Sequence, residues 1–467
     1  MCVDLDGTLV KSDTLVDSLL VLARAHPRRL FALPGKLLHG KAAFKAFVTR
    51  HVALDVAHLP YNRKLLQFLQ EEKQRGRAIY LATGANTRLA ERVAEHLGIF
   101  AGVLGSDGAV NLIGNRKLDR MRAQLGEGAY DYIGNDTPDL PLLAQATESM
   151  VANPSFSLRR KMRQRGLVPT RVFSERAHPL RSVLRAVRLH QWAKNLLIFV
   201  PLLMSHRLQM LRISRASLAF LAFSLAASAT YIINDLLDIE ADRRHPKKRL
   251  RPFASGDLPA FAGACIVVVF MLLAFGSATL LPPKFLVWLL TYLATTLAYT
   301  FFFKRVALLD VLVLSGLYTL RLLVGGAATT IAISHWLAAF SIFLFLSLAF
   351  VKRFAELENL RAAGAKPKNG RGYLVADQEQ LRAFGTSSAY AAVLVFALYI
   401  NGRDVMHLYH HFSRLWLIVP LMLLWQSRIW LLASRGQLSE DPVLFAITDR
   451  VSLLIGASVA VIAVLAL

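Results

Sequence analysis

Between about Leu196 and Leu467 the chain is a series of long apolar runs separated by short charged loops. A helix of about 20 apolar residues crosses the hydrocarbon core of a bilayer, and there only a helix or a closed barrel satisfies every backbone polar group. The runs therefore restrict this half of the chain to an all-α polytopic membrane domain. About nine segments can be marked, near 190–206, 216–237, 260–281, 285–303, 308–331, 334–351, 386–401, 412–433 and 443–467, the first short and partly interfacial.

Residues 1–185 have a different texture, with apolar and charged stretches alternating as in a soluble domain. A length of 467 residues suits two or more domains. The expected organisation is a soluble α/β domain over 1–155, a basic connector over 156–188 and a membrane domain of about nine helices over 189–467. No signal peptide is apparent, so the soluble domain is expected in the cytoplasm, with the true start a little upstream of Met1. Cys2 and Cys265 are far apart and imply neither a disulfide framework nor a metal site.

The formal charge of +24 is concentrated in Arg159–Arg188, Arg243–Arg251 and Lys352–Arg371. With the N-terminal domain in the cytoplasm, the loops near 238–259, 304–307, 352–385 and 434–442 fall on the cytoplasmic side. They carry most of the membrane domain's Lys and Arg, as the positive-inside bias requires. Phosphate binding is a second use for the same cations. No nucleic-acid partner is expected, and the oligomeric state is open.

In the soluble domain, Met1–Leu5 is an apolar run that passes into Asp4-Leu5-Asp6-Gly7-Thr8-Leu9. Two carboxylates two residues apart at a strand's end point to the same side, toward the crevice where open α/β sheets bind ligands. One can attack phosphorus while the other moves the leaving group's proton. Further strands are expected at Ala78–Ala82, followed by Thr83-Gly84, at Val103–Ser106, and at Tyr130–Ile133, followed by Gly134-Asn135-Asp136-Thr137-Pro138-Asp139. Lys117 falls in an intervening loop.

These pieces, in this order, resemble the haloacid dehalogenase-like hydrolase superfamily over residues 1–155. The resemblance implies a Rossmann-like α/β fold with a small helical cap over about 13–72. It implies Asp4 as the nucleophile and a metal ligand, and Asp6 as general acid/base. Thr83 and Lys117 would hold phosphate and balance charge, with Asp136 and Asp139 toward Mg²⁺. The sequence departs at Asn135, where the family places an acid; Asp136 is the nearest substitute.

The second site is Asn234-Asp235-Leu236-Leu237-Asp238-Ile239-Glu240-Ala241-Asp242, at the cytoplasmic end of the second apolar segment. A helix puts Asp235, Asp238 and Asp242 on one face, with Asn234 close by. Adjacent carboxylates repel unless a cation sits among them, and hard oxygen donors favour Mg²⁺. Arg243, Arg244, Lys247, Lys248, Arg249 and Arg251 follow at once and suit phosphate oxygens.

This pattern resembles the UbiA superfamily of intramembrane prenyltransferases over about 185–467, as do Gln191-Trp192-Ala193-Lys194-Asn195, Tyr299, Lys304-Arg305 and an intramembrane Arg321. Aromatic prenyltransferases of the family carry a second aspartate-rich motif after the sixth span. Here that place reads Ala349-Phe350-Val351-Lys352-Arg353-Phe354-Ala355-Glu356-Leu357, with cations in place of most acids. That, the linker to Tyr373 and Glu440-Asp441-Pro442-Val443-Leu444-Phe445 resemble the decaprenyl-phosphate phosphoribosyltransferase branch.

The branch implies phosphoribosyl diphosphate as donor and a polyprenyl phosphate as acceptor. Asn234, Asp235, Asp238 and Asp242 would hold Mg²⁺ on the leaving diphosphate, with Lys194, Asn195, Arg249, Tyr299, Lys304, Arg321, Lys352 and Arg353 binding substrate. Lys304 and Arg305 are equally suited to snorkel at the interface; Asp310 and Asp449 are further candidates, at least as well suited to helix-end or salt-bridge duty. Two other readings stay open: a prenyl diphosphate donor with an aromatic or quinone-ring acceptor, and a non-catalytic scaffold or transporter with a regulatory head. The expected location is the cytoplasmic membrane of a prokaryote, both active sites facing the cytoplasm.

Overall fold

The computed structural model describes residues 1–107, 110–126, 129–362, 371–438 and 442–467. The chain divides into two compact units, Met1–Arg188 with Tyr231–Val268, and Leu189–Thr230 with Val269–Leu467.

The first unit is built on a parallel sheet of β1 (Cys2–Val3), β2 (Tyr80–Asn86), β3 (Gly102–Ser106), β4 (Tyr132–Gly134), β5 (Ser149–Ala152) and β6 (Arg171–Phe173), in the order β3-β2-β1-β4-β5-β6. Successive residues point to opposite faces of a strand, and both faces here are covered. Val3, Leu81, Ile133 and Met150 pack with Leu65, Phe68, Leu69 and Val93. Their neighbours Cys2, Ala82, Tyr132 and Val151 pack with Leu118, Met121, Leu140 and Leu158. This double burial explains why the strands read as continuous apolar runs. The order reverses at β1, with β2 on one side and β4 on the other. That reversal opens the binding crevice beyond the carboxyl ends of β1 and β4.

Two boundaries differ from expectation. The segment 156–188, expected as a connector, supplies β6 and the helices Phe156–Gln164 and Pro179–Val187. Arg171-Val172-Phe173 is too short and too exposed to announce itself as a strand; its pairing with β5 makes it one. Within the expected cap, helices Thr14–Ala25, Leu33–Leu38 and Lys41–His51 precede Arg63–Gln74, which instead covers the sheet through Leu65, Phe68 and Leu69.

The same unit takes in the end of helix Met210–Leu237, the short helix Ile239–Arg244 and the start of helix Ala260–Ala278. Ile232, Leu236, Ile239, Phe253 and Leu258 form one apolar cluster with Ala186, and Leu20 packs on it.

Among the described residues seven helices are long and apolar enough to cross a membrane: Met210–Leu237, Ala260–Ala278, Pro283–Arg305, Leu309–Thr329, His335–Arg361, Val375–Ile400 and Phe412–Ser434. Nine segments were expected. The segment near 190–206 is instead a 3₁₀ stretch, Leu189–Phe199, and a five-residue helix, Val200–Met204. It lies so close to Leu309–Thr329 that a Cβ on Gly325 would sit 2.1 Å from the Ile198 carbonyl oxygen. The segment near 443–467 breaks at Asp449, whose side chain accepts from the Ser452 N–H and caps the 17-residue helix Arg450–Ala466. A carboxylate at an N-cap satisfies the helix's open N–H groups and so begins a new helix rather than extending the old one.

Candidate active site

The carboxyl ends of β1 and β4 bring the first set of residues together. Gly7 turns the chain with φ +74°, and a Cβ there would lie 2.0 Å from Asn135 Nδ2, so the Asp4–Thr8 turn fits closely against Asn135. Thr8 Oγ1 donates to Asn135 Oδ1 at 3.2 Å. Asn135 therefore stands beside the Asp4-x-Asp6 turn, where the family's acid is expected. Asp136 is exposed, and its Oδ1 accepts from Ser155 Oγ and the Thr137 N–H, both at 2.7 Å. It caps a turn and still lines the cavity with Asp4, Asp6 and Asp139.

Lys117 is not in a loop but on the first turn of helix Asn115–Leu125. Its Nζ donates to Asp4 Oδ1 and to Tyr132 OH at 2.9 Å, and lies 3.4 Å from Asp139 Oδ1. Burial works against its charge, but Asp4 and Asp139 push its pKa up. Asp139 also accepts from the Asn135 and Asp136 N–H groups at 3.0 and 3.2 Å, which holds the β4 loop closed. Thr83 is fully buried and its Oγ1 accepts from the Ala85 N–H, so Gly84 rather than Thr83 lines the cavity.

Burial pushes the Asp4 carboxyl up to about 6, with Lys117 pulling against it. Burial, and then the charge of Asp13, push Asp6 up to about 8; the Thr14 N–H donating at 2.8 Å opposes this. Both carboxyls are thus pushed up, Asp6 further than Asp4, which is the order a general acid beside a nucleophile needs. Lys45, from the cap, donates to the Gly84 carbonyl at 2.6 Å and lines the same cavity with Lys11 and Arg176. Nothing in the local sequence singles out these three cations.

The second set lies at the end of helix Met210–Leu237. The i→i+4 backbone bonds from Asp238 to Asn234 and from Asp242 to Asp238 carry the helical path across the junction, keeping Asp235, Asp238 and Asp242 on one side. Asp235 and Asp242 are buried. Each carboxylate meets an arginine. Arg188 Nη2 donates to both oxygens of Asp235 at 2.6 and 2.8 Å. Arg251 Nη1 bridges Asp235 Oδ1 at 3.0 Å and Asp242 Oδ2 at 2.7 Å. Arg24, from the cap, pairs with Asp238. Burial raises the Asp242 pKa against the pull of Arg251.

Chemically, Asn234 and the three aspartates are the hard oxygen donors that Mg²⁺ takes. In the structure the carboxylates are turned to guanidinium groups, and among the described residues no three acids converge on one point. A metal would exchange with the arginines, which in turn are the groups a diphosphate wants. Arg249, Lys247 and Lys248 are exposed. Arg24 and Arg188 were missed because their partners lie 214 and 47 residues away in the chain.

In the second unit, the expected phosphate-binding cations are largely engaged with protein. Arg321 is buried. Its Nε donates to Asn195 Oδ1 at 2.9 Å, and its guanidinium carbon lies 5.3–5.5 Å from the ring centres of Phe223, Tyr292 and Tyr318. Asn195 Nδ2 in turn donates to Ser224 Oγ. Lys194 Nζ lies 5.9 Å from the Tyr318 ring centre. Arg353 pairs with Asp310 and Glu356, and Tyr299 OH donates to Asp310 Oδ1 at 2.7 Å. This gathers Tyr299, Asp310 and Arg353 into one buried ion-pair network rather than a row of free phosphate ligands. Lys304 and Lys352 are half-buried. Asp449 makes a two-point pair with Arg428 at 2.6 and 3.1 Å. Glu440, Asp441 and most of the linker to Tyr373 lie outside the described residues.

Residues 196–448 match the UbiA prenyltransferase family profile, and residues 2–144 the haloacid dehalogenase-like hydrolase profile. The uncharacterized protein y4nM of Sinorhizobium fredii is 37% identical over 460 residues, covering 98% of this chain and 89% of that protein. A decaprenyl-phosphate phosphoribosyltransferase of Mycobacterium tuberculosis is 34% identical over 282 residues, covering 59% of this chain and 90% of that protein. Among solved structures, a UbiA homolog from Archaeoglobus fulgidus bound to GPP and Mg²⁺ is similar. It is 17% identical, covers 60% of this chain and 99% of that one, and gives a TM-score of 0.47. Both resemblances read from the sequence, and the likeness to the phosphoribosyltransferase branch, are borne out.

Proposed function

Because the chain belongs to the UbiA prenyltransferase family and carries a haloacid dehalogenase-like domain at its N-terminus, we propose that it transfers 5-phosphoribose from phosphoribosyl diphosphate to a polyprenyl phosphate and then removes the 5-phosphate. The observation that carries the reading is the Asp235–Asp238–Asp242 row with an arginine on every carboxylate. The carboxylates suit a hard metal ion, and the arginines suit the phosphate oxygens of a donor. The decaprenyl-phosphate phosphoribosyltransferases at 33–34% identity support the same choice.

Asn234, Asp235, Asp238 and Asp242 would hold Mg²⁺, which when bound offsets the charge of the pyrophosphate leaving group. Arg188 and Arg251, released from the carboxylates, donate to donor phosphate oxygens. The anomeric carbon of the donor gains positive character as the pyrophosphate departs. A lipid phosphate oxygen attacks that carbon, the C–O bond to pyrophosphate breaks, and pyrophosphate leaves with the bonding pair. In the second step Asp4 attacks the 5-phosphate while Asp6 protonates the departing hydroxyl oxygen. Residues 189–204 and 450–466 complete nine membrane segments in this proposal, and both sites face the cytoplasm of a prokaryote.

Purified full-length protein is given labelled phosphoribosyl diphosphate and polyprenyl phosphate with Mg²⁺. Labelled lipid is the expected product; product only with a prenyl diphosphate and an aromatic acid favours the other donor and overturns this one. Asp4→Asn is expected to stop phosphate release while transfer continues. If both activities survive it, the coupling is wrong.

A further inference from the structure

The cavity over Asp4 and Asp6 has about 380 Å³ of space and is lined by both charged and apolar side chains. Its charged lining includes Asp4, Asp6 and Lys117, with Lys11, Lys45 and Arg176. The Nε of Arg176 is buried there without a hydrogen-bond partner. Its apolar lining includes Ile239, Phe253, Leu258 and Phe261, and of these four Phe261 is the exposed one. None of these four belongs to the α/β domain. They lie on the segment that leaves helix Met210–Leu237 and enters helix Ala260–Ala278, both long and apolar enough to cross a membrane.

That segment is fastened in place. Arg243 Nη1 pairs with Asp17 Oδ2 at 2.8 Å, both side chains buried, and its Nη2 donates to Ser12 Oγ at 3.1 Å. Arg244 Nε donates to Asp55 Oδ2 at 2.6 Å, and Glu240 Oε1 accepts from the Asp55 N–H at 3.1 Å. Lys11 Nζ lies 3.6 Å from Asp257. Gly256, at φ +72°, lets the backbone come so near that a Cβ would meet the Lys11 Cβ at 2.7 Å. Ile239 sits between Asp238 and Asp242, so one short helix serves the cavity and the aspartate row together.

A free sugar phosphate has no apolar surface to offer such a lining. Phe261, on the first turn of helix Ala260–Ala278 and 75% exposed, continues the apolar lining toward the membrane-spanning helix. Resting on the two-step reading above, we infer that the residues selecting the phosphatase substrate lie outside the phosphatase domain, on segment 239–261. They select a phosphate monoester carried on a membrane lipid over the same monoester free in water. The chemistry is an ordinary hydrolysis. Asp4 Oδ forms a bond to phosphorus as the ester P–O bond breaks and the leaving oxygen takes the Asp6 proton. Water then attacks the aspartyl-phosphate, gives its proton to Asp6 and releases inorganic phosphate.

The test uses the full chain in vesicles and reads phosphate release from farnesyl-phosphoribose 5-phosphate, ribose 5-phosphate and p-nitrophenyl phosphate. The wild type is expected to favour the farnesyl substrate over ribose 5-phosphate at least tenfold in kcat/KM. Phe261→Ser is expected to shrink that ratio at least fivefold through the farnesyl KM. A second variant, Leu258→Ala, is expected to change the ratio in the same direction. Equal kcat/KM for the two sugar phosphates, with a ratio neither variant moves, overturns the inference and leaves the phosphatase reading standing. Release from none of the three substrates overturns both.

Discussion

Replacing Arg251 with alanine separates its resting contacts from its proposed work. The guanidinium donates to Asp235 and Asp242 at 3.0 and 2.7 Å. Asp235 keeps Arg188, so the loss falls on Asp242, which is buried and whose pKa burial already raises. Removing one partner of a buried pair costs about 3–5 kcal/mol. The Arg251 side chain is 29% exposed, and solvent screens the pair, so about 1–2 kcal/mol of stability is expected to go. If Arg251 also binds the donor, the variant loses a charge-assisted hydrogen bond of about 1.5–3 kcal/mol, a rise of about 10- to 100-fold in donor KM. Half-saturating Mg²⁺ is expected to fall, because the ion no longer competes with a guanidinium for Asp235 and Asp242. The assay is transfer of labelled phosphoribose by the full chain at varied donor and Mg²⁺, with thermal denaturation of the same samples. A lowered melting midpoint with donor KM within about threefold of wild type and unchanged Mg²⁺ dependence would refute the reasoning, leaving Arg251 a structural clamp.

Asp238→Asn removes one negative charge from the row and is expected to lower transfer at least 100-fold; turnover near wild type would point to a scaffold. Phosphate release should rise with pH as Asp4 ionises near 6 and fall as Asp6 loses its proton near 8; a rate still climbing above pH 9 would exclude Asp6 as the acid. Gly7→Ala forces a Cβ into Asn135 at a positive φ; phosphate release should be lost with transfer retained, read in parallel assays. Asp310→Asn leaves Arg353 short of its main buried counter-charge, at about 3–5 kcal/mol; the melting midpoint in detergent should fall by several degrees, and an unchanged midpoint would argue against a structural network.

The α/β strands at β1, β2, β3 and β4 were readable within a few residues, because a strand buried on both faces shows itself as an apolar run in the sequence. β6 was not, since its strand character comes from pairing with β5. The long spans were readable for a similar local reason, whereas segment 189–204 packs as a short 3₁₀ and helical piece against Leu309–Thr329. The Asp4-x-Asp6 turn and the Asn234–Asp242 row were legible as residue patterns, because a strand end or a helical face places neighbours in sequence side by side.

The charge partners were another matter. Arg353 and Arg321 looked like phosphate ligands because an intramembrane cation is costly. The fold meets that cost with Asp310 and Glu356 in one case, and with Asn195 and aromatic faces in the other. Asp136, the nearest substitute acid, lines the cavity with one oxygen bonded to Ser155 and Thr137, while Asn135 stands beside the Asp4 turn. Sequence alone determined the long apolar spans, the Asp4-x-Asp6 turn and the Asn234–Asp242 row, since hydropathy and short-range spacing are properties of neighbouring residues. Tertiary structure decided which charged groups are spent on one another, as when Arg24 meets Asp238 across 214 residues. A charge is stabilised by whatever lies within a few ångströms of it, and only the folded chain sets that distance.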